Sequence, residues 1–147
     1  LLVVAELLPA VVAWNQGVLG PLTGHPLRDE RVSLRVVDVA EILRVEVDRY
    51  DAILLDVDNG PEALINLTNT WLYGVAGLKA ARKALRPCGV LAVWSAAPDA
   101  GFVQRLEKAG FRVEEKQVRS RGRRGSHQVI WLATRPVGSQ SGNKQFP

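Results

Sequence analysis

Four acidic side chains lie just beyond apolar runs of the 147-residue sequence, at positions where buried strands would end. They are Glu6, Asp38, Asp56 and Asp58. Open α/β sheets bind their ligands at the carboxyl ends of parallel strands. A carboxylate placed there can accept hydrogen bonds from ligand hydroxyls or remove a proton from a reacting group. The positions of the acids along the chain therefore indicate a pocket of the nucleotide-binding type.

The first two acids are candidates for holding a nucleoside. Glu6 offers two oxygens to the vicinal hydroxyls of a ribose; alternatively, it is a solvated loop acid or a helix-start acid before Pro9. Asp38 is placed to receive an amino group of a base, or it caps the short helix that follows it. The residues alone leave both pairs of alternatives open.

The densest cluster is residues 56–61, Asp-Val-Asp-Asn-Gly-Pro. Alternation along a strand would send Asp56 and Asp58 to the same side, where both could face a cationic ligand or a proton to be removed. The alternative is that the asparagine and glycine make a turn, Pro61 starts a helix and the two acids are its caps. The cluster is a candidate catalytic site with that structural alternative beside it.

No other combination of residues indicates a metal site or a covalent nucleophile. His25 and His127 have no cysteine or acidic companion at a metal-ligand spacing. The net charge of +4 is concentrated in the arginines of residues 119–124, which could contact phosphates. Because no aromatic residue separates those arginines, we favour a solvated hairpin tip over a nucleic-acid site.

The composition fits one globular domain. Hydrophobic residues make up 47% of the sequence and charged residues 23%, and we predict a single domain at residues 1–136 with a mobile tail at 137–147. The apolar first 14 residues are too short to span a bilayer and contain Glu6 and Pro9, so they are interpreted as core. Cys88 is the only cysteine, which excludes an intrachain disulfide and favours a reducing cytoplasm.

Strands and helices alternate along the sequence. Nearly continuous apolar runs at residues 1–5, 53–55 and 90–94 predict interior parallel strands. The more alternating run at 32–37 predicts a strand near one edge, and residues 111–118 and 127–134 predict a β-hairpin. Helices are predicted at residues 9–18, 40–43, 71–85 and 99–109. The fold class is therefore α/β, with a mostly parallel, doubly wound sheet and a C-terminal antiparallel hairpin.

Four segments together resemble a known family. They are residues 4–9 (VAELLP), 29–39 (DERVSLRVVDV), 50–56 (YDAILLD) and 85–91 (LRPCGVL). In order and spacing they resemble the spermidine synthase group of the class I S-adenosylmethionine-dependent methyltransferase superfamily, and the likeness covers most of residues 1–134. The resemblance implies a Rossmann-like sheet that binds S-adenosylmethionine or its decarboxylated form and transfers a methyl or aminopropyl group to an amine.

The resemblance also implies roles for individual residues. Glu6 would hold the ribose, while Asp38 and Val39 would approach the adenine. Asp56 would lie in the active site and help to bind the nucleoside, and with Asp58 it would polarise or deprotonate the acceptor amine. The run that follows Asp56 differs from that of genuine aminopropyltransferases, which usually have small hydroxyl or acidic residues and a further Asp-Pro.

A second departure concerns the start of the fold. The family's first strand and Gly-rich loop would lie about 20 residues before Glu6, and this sequence has no counterpart. We therefore expect that strand to be missing and the sheet to be open in the middle, with unpaired backbone groups. Either the remaining strands rearrange or a second copy covers the exposed surface in a homodimer. The alternative function is a noncatalytic remnant acting as an oligomerisation or interaction module.

Overall fold

The computed structural model describes residues 1–57, 69–119 and 127–137. Its backbone contacts divide the chain into two compact units, Leu1–Val45 and Glu46–Pro147. Among the described residues, no helix is both long and apolar enough to cross a membrane.

The first unit contains a pair of parallel strands. Strand β1 is Leu2–Glu6 and strand β2 is Val32–Val36, paired in register from Leu2 opposite Val32 to Glu6 opposite Val36. Pro9 occupies the first turn of the helix after β1, where its missing N–H costs no hydrogen bond. The helices of this unit are α1 Pro9–Gln16, α2 Gly20–Thr23 and α3 Val39–Val45, with a 3-10 turn at Pro26–Arg28 between α2 and β2.

The second unit contains a four-stranded mixed sheet. Its strands are β3 Tyr50–Leu55, β4 Leu85–Ser95, β5 Arg112–Arg119 and β6 His127–Thr134. Their spatial order is β3-β4-β6-β5; β3 and β4 are parallel, and the other neighbours are antiparallel. The helices are α4 Asn69–Tyr73, α5 Val75–Ala84 and α6 Ala100–Lys108. These elements confirm the predicted α/β class and its closing antiparallel hairpin.

One face of this sheet forms the core of the second unit. The strand registers place Leu55, Val93 and Trp131 on the same face, and each is at most 3% exposed. Helix α6 packs there through Phe102, whose ring lies 4.9 Å from that of Trp131. Leu54 points to the opposite face and is 74% exposed. The described part of the unit therefore buries one face of its sheet thoroughly and the other less completely.

The predicted helix at residues 71–85 is divided in the structure. Gly74 is extended and separates α4 from α5, and Leu85 is already the first residue of β4. The two helices approach so closely that a Cβ atom on Gly77 would lie 2.3 Å from the Trp71 carbonyl oxygen. The apolar stripe continues across this break, which is why periodicity alone predicted one helix.

Two strands predicted to be interior have a partner on one edge only. Within the described residues β1 pairs with β2 alone and β3 pairs with β4 alone, so the strands form two sheets instead of one. None of residues 1–14 is buried and Leu2 is 56% exposed, so β1 is incompletely covered and the interpretation of the first 14 residues as core is wrong. The apolar runs correctly predicted strands, but they did not determine which neighbours those strands would have.

Candidate functional site

The structure brings Glu6 and Asp38 to the same edge of the first unit. Glu6 is the last residue of β1 and lies opposite Val36, the last residue of β2. The Val37 amide donates a hydrogen bond to the Glu6 carbonyl oxygen at 3.0 Å, which carries the pairing one residue further. Asp38 follows directly. The two acids therefore lie at the carboxyl ends of adjacent parallel strands, where such sheets bind ligands.

Each of these carboxylates also makes a local contact. An oxygen of Glu6, Oε1, accepts a hydrogen bond from the Leu8 amide at 2.8 Å. The Oδ1 atom of Asp38 accepts one from the Ala40 amide, also at 2.8 Å. Both contacts satisfy amide groups at helix starts, as the structural alternatives predicted. A carboxylate has two oxygens, so these bonds fix its direction while leaving a second acceptor for a ligand.

A shallow groove lies beside Asp38, along α3. Its volume is about 400 Å³, and it is open to solvent, unlike the clefts that bury most of a small ligand. The lining is mostly apolar, with one arginine and one glutamate. The lining residues are Arg35, Val36, Val37, Glu41, Ile42 and Val45. The groove could not be predicted from the sequence, because a strand end followed by a seven-residue helix carries no distinctive motif.

Asp56 lies at the corresponding edge of the second unit. It follows Leu55, which pairs with Val93 on β4, so Trp94 and Ser95 lie at the same end of the neighbouring strand. The side chain of Asp56 is exposed. Asp58 lies outside the described residues, and its placement on the same side as Asp56 stays a prediction.

The residues around this strand end are packed against the sheet and α6. Tyr73 is 5% exposed, and its hydroxyl donates a hydrogen bond to the Val57 carbonyl oxygen at 2.7 Å. The indole N–H of Trp94 donates to Gln128 Oε1 at 3.2 Å. Ser95 is 2% exposed, and its Oγ atom accepts a bond from the Ala97 amide at 3.3 Å. The β3 exit, defined as residues 55–57, is therefore flanked by packed side chains of its own unit.

The structure also shows the surroundings of His25 and Cys88, two residues whose side chains could bind a metal. His25 lies against Gly20, where a Cβ atom would be only 2.4 Å from the histidine Nδ1 atom. Cys88 is exposed in the segment that bulges between the two parts of the β3–β4 pairing. The described residues contain no group of three or more histidine, cysteine or acidic side chains that could hold a metal ion.

Comparison with known proteins identifies the fold. No protein-family model and no curated protein sequence matches the chain. A spermidine synthase from Thermotoga maritima matches with a TM-score of 0.69 and 16% identity, over 92% of this chain and 45% of that chain. This chain therefore spans less than half of that enzyme's length.

Methyltransferase structures match as well. The 1,6-didemethyltoxoflavin-N1-methyltransferase of Burkholderia thailandensis, solved with S-adenosylhomocysteine, has a TM-score of 0.61 and 16% identity over 92% of this chain and 61% of that chain. The N-methyltransferase NodS of Bradyrhizobium japonicum WM9, also with S-adenosylhomocysteine, gives 0.61 and 16% over 92% of this chain and 66% of that chain. The chain has the fold shared by spermidine synthase and S-adenosylmethionine-dependent methyltransferases.

Proposed function

We propose that the chain is a transferase domain that binds an adenosyl nucleoside and directs a methyl or aminopropyl group to an amine. The observation that carries this proposal is the position of Glu6 and Asp38 at the ends of adjacent parallel strands. The ribose hydroxyls would bind Glu6, and the base would lie near Asp38 and Val39, beside the groove along α3. Two of the similar methyltransferases were solved with S-adenosylhomocysteine, which supports a nucleoside of this type.

In this proposal Asp56 acts on the acceptor, together with Asp58. S-Adenosylmethionine or its decarboxylated form supplies a carbon activated for transfer by the neighbouring sulfonium. An amine is protonated near neutral pH and must lose its proton before its nitrogen can attack. A carboxylate at the mouth of β3 attracts the ammonium form and accepts that proton. We expect Asp56→Asn to lower turnover much more than nucleoside affinity, because Glu6 and Asp38 are the main nucleoside contacts in this proposal; an equal loss of both would contradict this role.

Calorimetric titration tests nucleoside binding directly. The ligands are S-adenosylmethionine, decarboxylated S-adenosylmethionine and methylthioadenosine. Glu6→Gln retains an oxygen for the Leu8 amide but loses the charge, and we expect binding at least tenfold weaker, or about 1.4 kcal/mol. Glu30→Gln is the matched control because Glu30 is an exposed acid of the same unit. An absence of saturable heat with all three ligands would overturn the proposal.

A second candidate function is a noncatalytic module that assembles as a homodimer. The second edge of β3 has no partner strand among the described residues, and Leu54 of this strand is 74% exposed. An exposed apolar edge of this kind is a template for pairing with another chain. Two copies of β3 related by a twofold axis would pair antiparallel, and this interface closes on itself.

Light scattering over a range of concentrations tests the homodimer. Leu54→Lys places a charge on the exposed side of β3, and we expect it to shift the protein toward monomer. Val47→Lys adds the same charge to an exposed apolar residue outside the strand and is the control. A wild-type protein that is monomeric at all concentrations would contradict this function. Location in the cytoplasm is part of both proposals, and the single cysteine, which cannot form an intrachain disulfide, supports it.

A further inference from the structure

A chain of aromatic contacts connects the C-terminal hairpin with the exit of β3. Trp131 of β6 lies edge-on to Phe102 of α6, with ring centroids 4.9 Å apart. Phe102 in turn lies edge-on to Tyr73 of α4, at 5.9 Å and an interplanar angle of 80°. The Tyr73 hydroxyl then reaches the carbonyl oxygen of Val57 at 2.7 Å. The three rings are nearly fully buried, so their positions are fixed by packing.

The last contact falls where the backbone leaves the sheet. Leu55 is the final residue of β3 that is paired with β4, so Asp56 and Val57 lie beyond the strand ladder. Among the described residues no partner strand orients the Val57 carbonyl group, and the buried hydroxyl of Tyr73 donates a hydrogen bond to it. Because Val57 directly follows Asp56, the bond limits the backbone rotations that aim the Asp56 carboxylate.

We propose that Tyr73 is a positioning residue that holds the β3 exit and thereby aims Asp56 at the acceptor. Its catalytic consequence rests on the transferase function proposed above. Core packing alone would require the aromatic ring of Tyr73 but not its hydroxyl. In the structure both parts of Tyr73 make contacts: the ring contacts Phe102, and the hydroxyl oxygen contacts the Val57 backbone. Small displacements of a reacting group reduce rates steeply, by as much as about 100-fold per ångström.

Two variants distinguish the effect of the Tyr73 hydroxyl from the effect of aromatic packing in the core. Tyr73→Phe removes the hydrogen bond and keeps the ring against Phe102. Phe102→Leu disturbs the ring contacts and keeps the hydroxyl. Hydrogen exchange of the segment 53–57 reports on the β3 exit, and the melting temperature reports on the core. We expect Tyr73→Phe to accelerate exchange of that segment about tenfold with a small change in melting temperature, and Phe102→Leu to lower the melting temperature more.

The turnover number, kcat, is the measurement that a role of Tyr73 in core packing alone would not change. With S-adenosylmethionine and the amine that the wild-type protein uses, we expect Tyr73→Phe to lower kcat about tenfold at unchanged nucleoside affinity. Unchanged exchange at residues 53–57 would overturn the inference, and so would faster exchange with unchanged kcat. A wild-type protein that binds no nucleoside would overturn the proposed function instead, while the exchange measurement would still decide whether Tyr73 holds the β3 exit.

Discussion

The two units differ in how well they bury their apolar residues. In the second unit Phe102, Trp131 and Leu91 are fully buried between the sheet and its helices. In the first unit Trp14 is 55% exposed and Leu22 is 80% exposed, and helix α1 has no buried residue. A pair of strands with short helices has too little surface to form a large core. Most of the described core therefore lies in the second unit.

This difference matters for the proposed chemistry. The residues assigned to the nucleoside, Glu6 and Asp38, are in the loosely packed unit, whereas Asp56 follows a strand of the well-packed one. Ligand-binding regions are commonly the less stable parts of a protein, and a ligand that binds only the folded state stabilises it. We infer that a bound nucleoside would stabilise the first unit more than the second.

The largest effect that tests this comparison is loss of the central aromatic ring. Phe102→Ala removes a fully buried side chain that contacts Tyr73 and Trp131, and we expect a loss of about 3–5 kcal/mol in the free energy of unfolding. Leu22→Ala in the first unit should change it by less than about 0.5 kcal/mol, since that side chain is exposed. Urea unfolding measures both; equal losses would contradict the contrast in packing.

The next effect concerns a polar contact that joins distant parts of the second unit. The Nη1 atom of Arg135 lies within hydrogen-bond distance of the carbonyl oxygens of Leu85 and Arg82, at the end of α5, and of Asp48 Oδ1, and its two hydrogens are shared among these acceptors. A cation at a helix C-terminus satisfies carbonyl groups that have no partner within the helix. We expect Arg135→Met, which keeps the apolar stem, to cost about 2 kcal/mol in urea unfolding.

A second arginine provides the control for that measurement. Arg86 pairs with Asp51, but both side chains are largely exposed, at 49% and 81%. Exposed ion pairs contribute about 0–1 kcal/mol, so Arg86→Met should have a clearly smaller effect than Arg135→Met. If the two variants are equally stable, the contact of Arg135 with α5 does not contribute in the way the geometry indicates.

Local signals in the sequence predicted much of the fold. The hairpin strand predicted at 127–134 is observed at His127–Thr134, and the helix predicted at 99–109 is observed at Ala100–Lys108. Gly110, just beyond it, has the left-handed φ of 92° that glycine adopts readily. The break at Gly74 and the contact between Arg135 and Asp48 were not predicted. The first depends on close packing of two helices, and the second joins residues 87 positions apart.

The sequence predicted part of the candidate site, as it predicted part of the fold. The positions of Glu6 and Asp38 at strand ends follow from the apolar runs before them, and the structure places both there. Each carboxylate uses one oxygen to accept a hydrogen bond from a local amide, that of Leu8 or Ala40, which the sequence alternatives also allowed. The bond from Tyr73 could not be predicted, because it joins residues that only the tertiary fold brings together.

A smaller effect tests the start of α6 in the well-packed unit. Asp99 accepts a hydrogen bond from the Phe102 amide at 2.9 Å and is the N-cap of α6. We expect Asp99→Ala to cost about 1 kcal/mol, as is usual for loss of an N-cap, measured by thermal or urea unfolding. Glu107→Ala, an exposed change in the last turn of the same helix, is the control. Equal effects would show that the cap contributes nothing specific.

The smallest effect belongs to the loosely packed unit and depends on pH. Arg31 donates two side-chain hydrogen bonds to Asp29, at 3.0 and 2.7 Å, and a third from its backbone amide. The bond to the Arg31 side chain, followed by the bond from its amide, lowers the pKa of Asp29 below 3.8. A carboxyl group with a lowered pKa stabilises the folded state above its unfolded pKa, and this contribution is lost as the pH falls through the folded value.

We therefore expect Arg31→Gln to destabilise the protein slightly at neutral pH and to have no effect at a pH well below the folded pKa of Asp29. Unfolding measured across that range, with Arg28→Gln as an exposed control from the same unit, would show whether the difference disappears in acid. High salt should weaken the effect as well, because the pair lies at the surface. A difference that persisted unchanged in acid would assign the contribution of Arg31 to its contacts with neutral groups and not to Asp29.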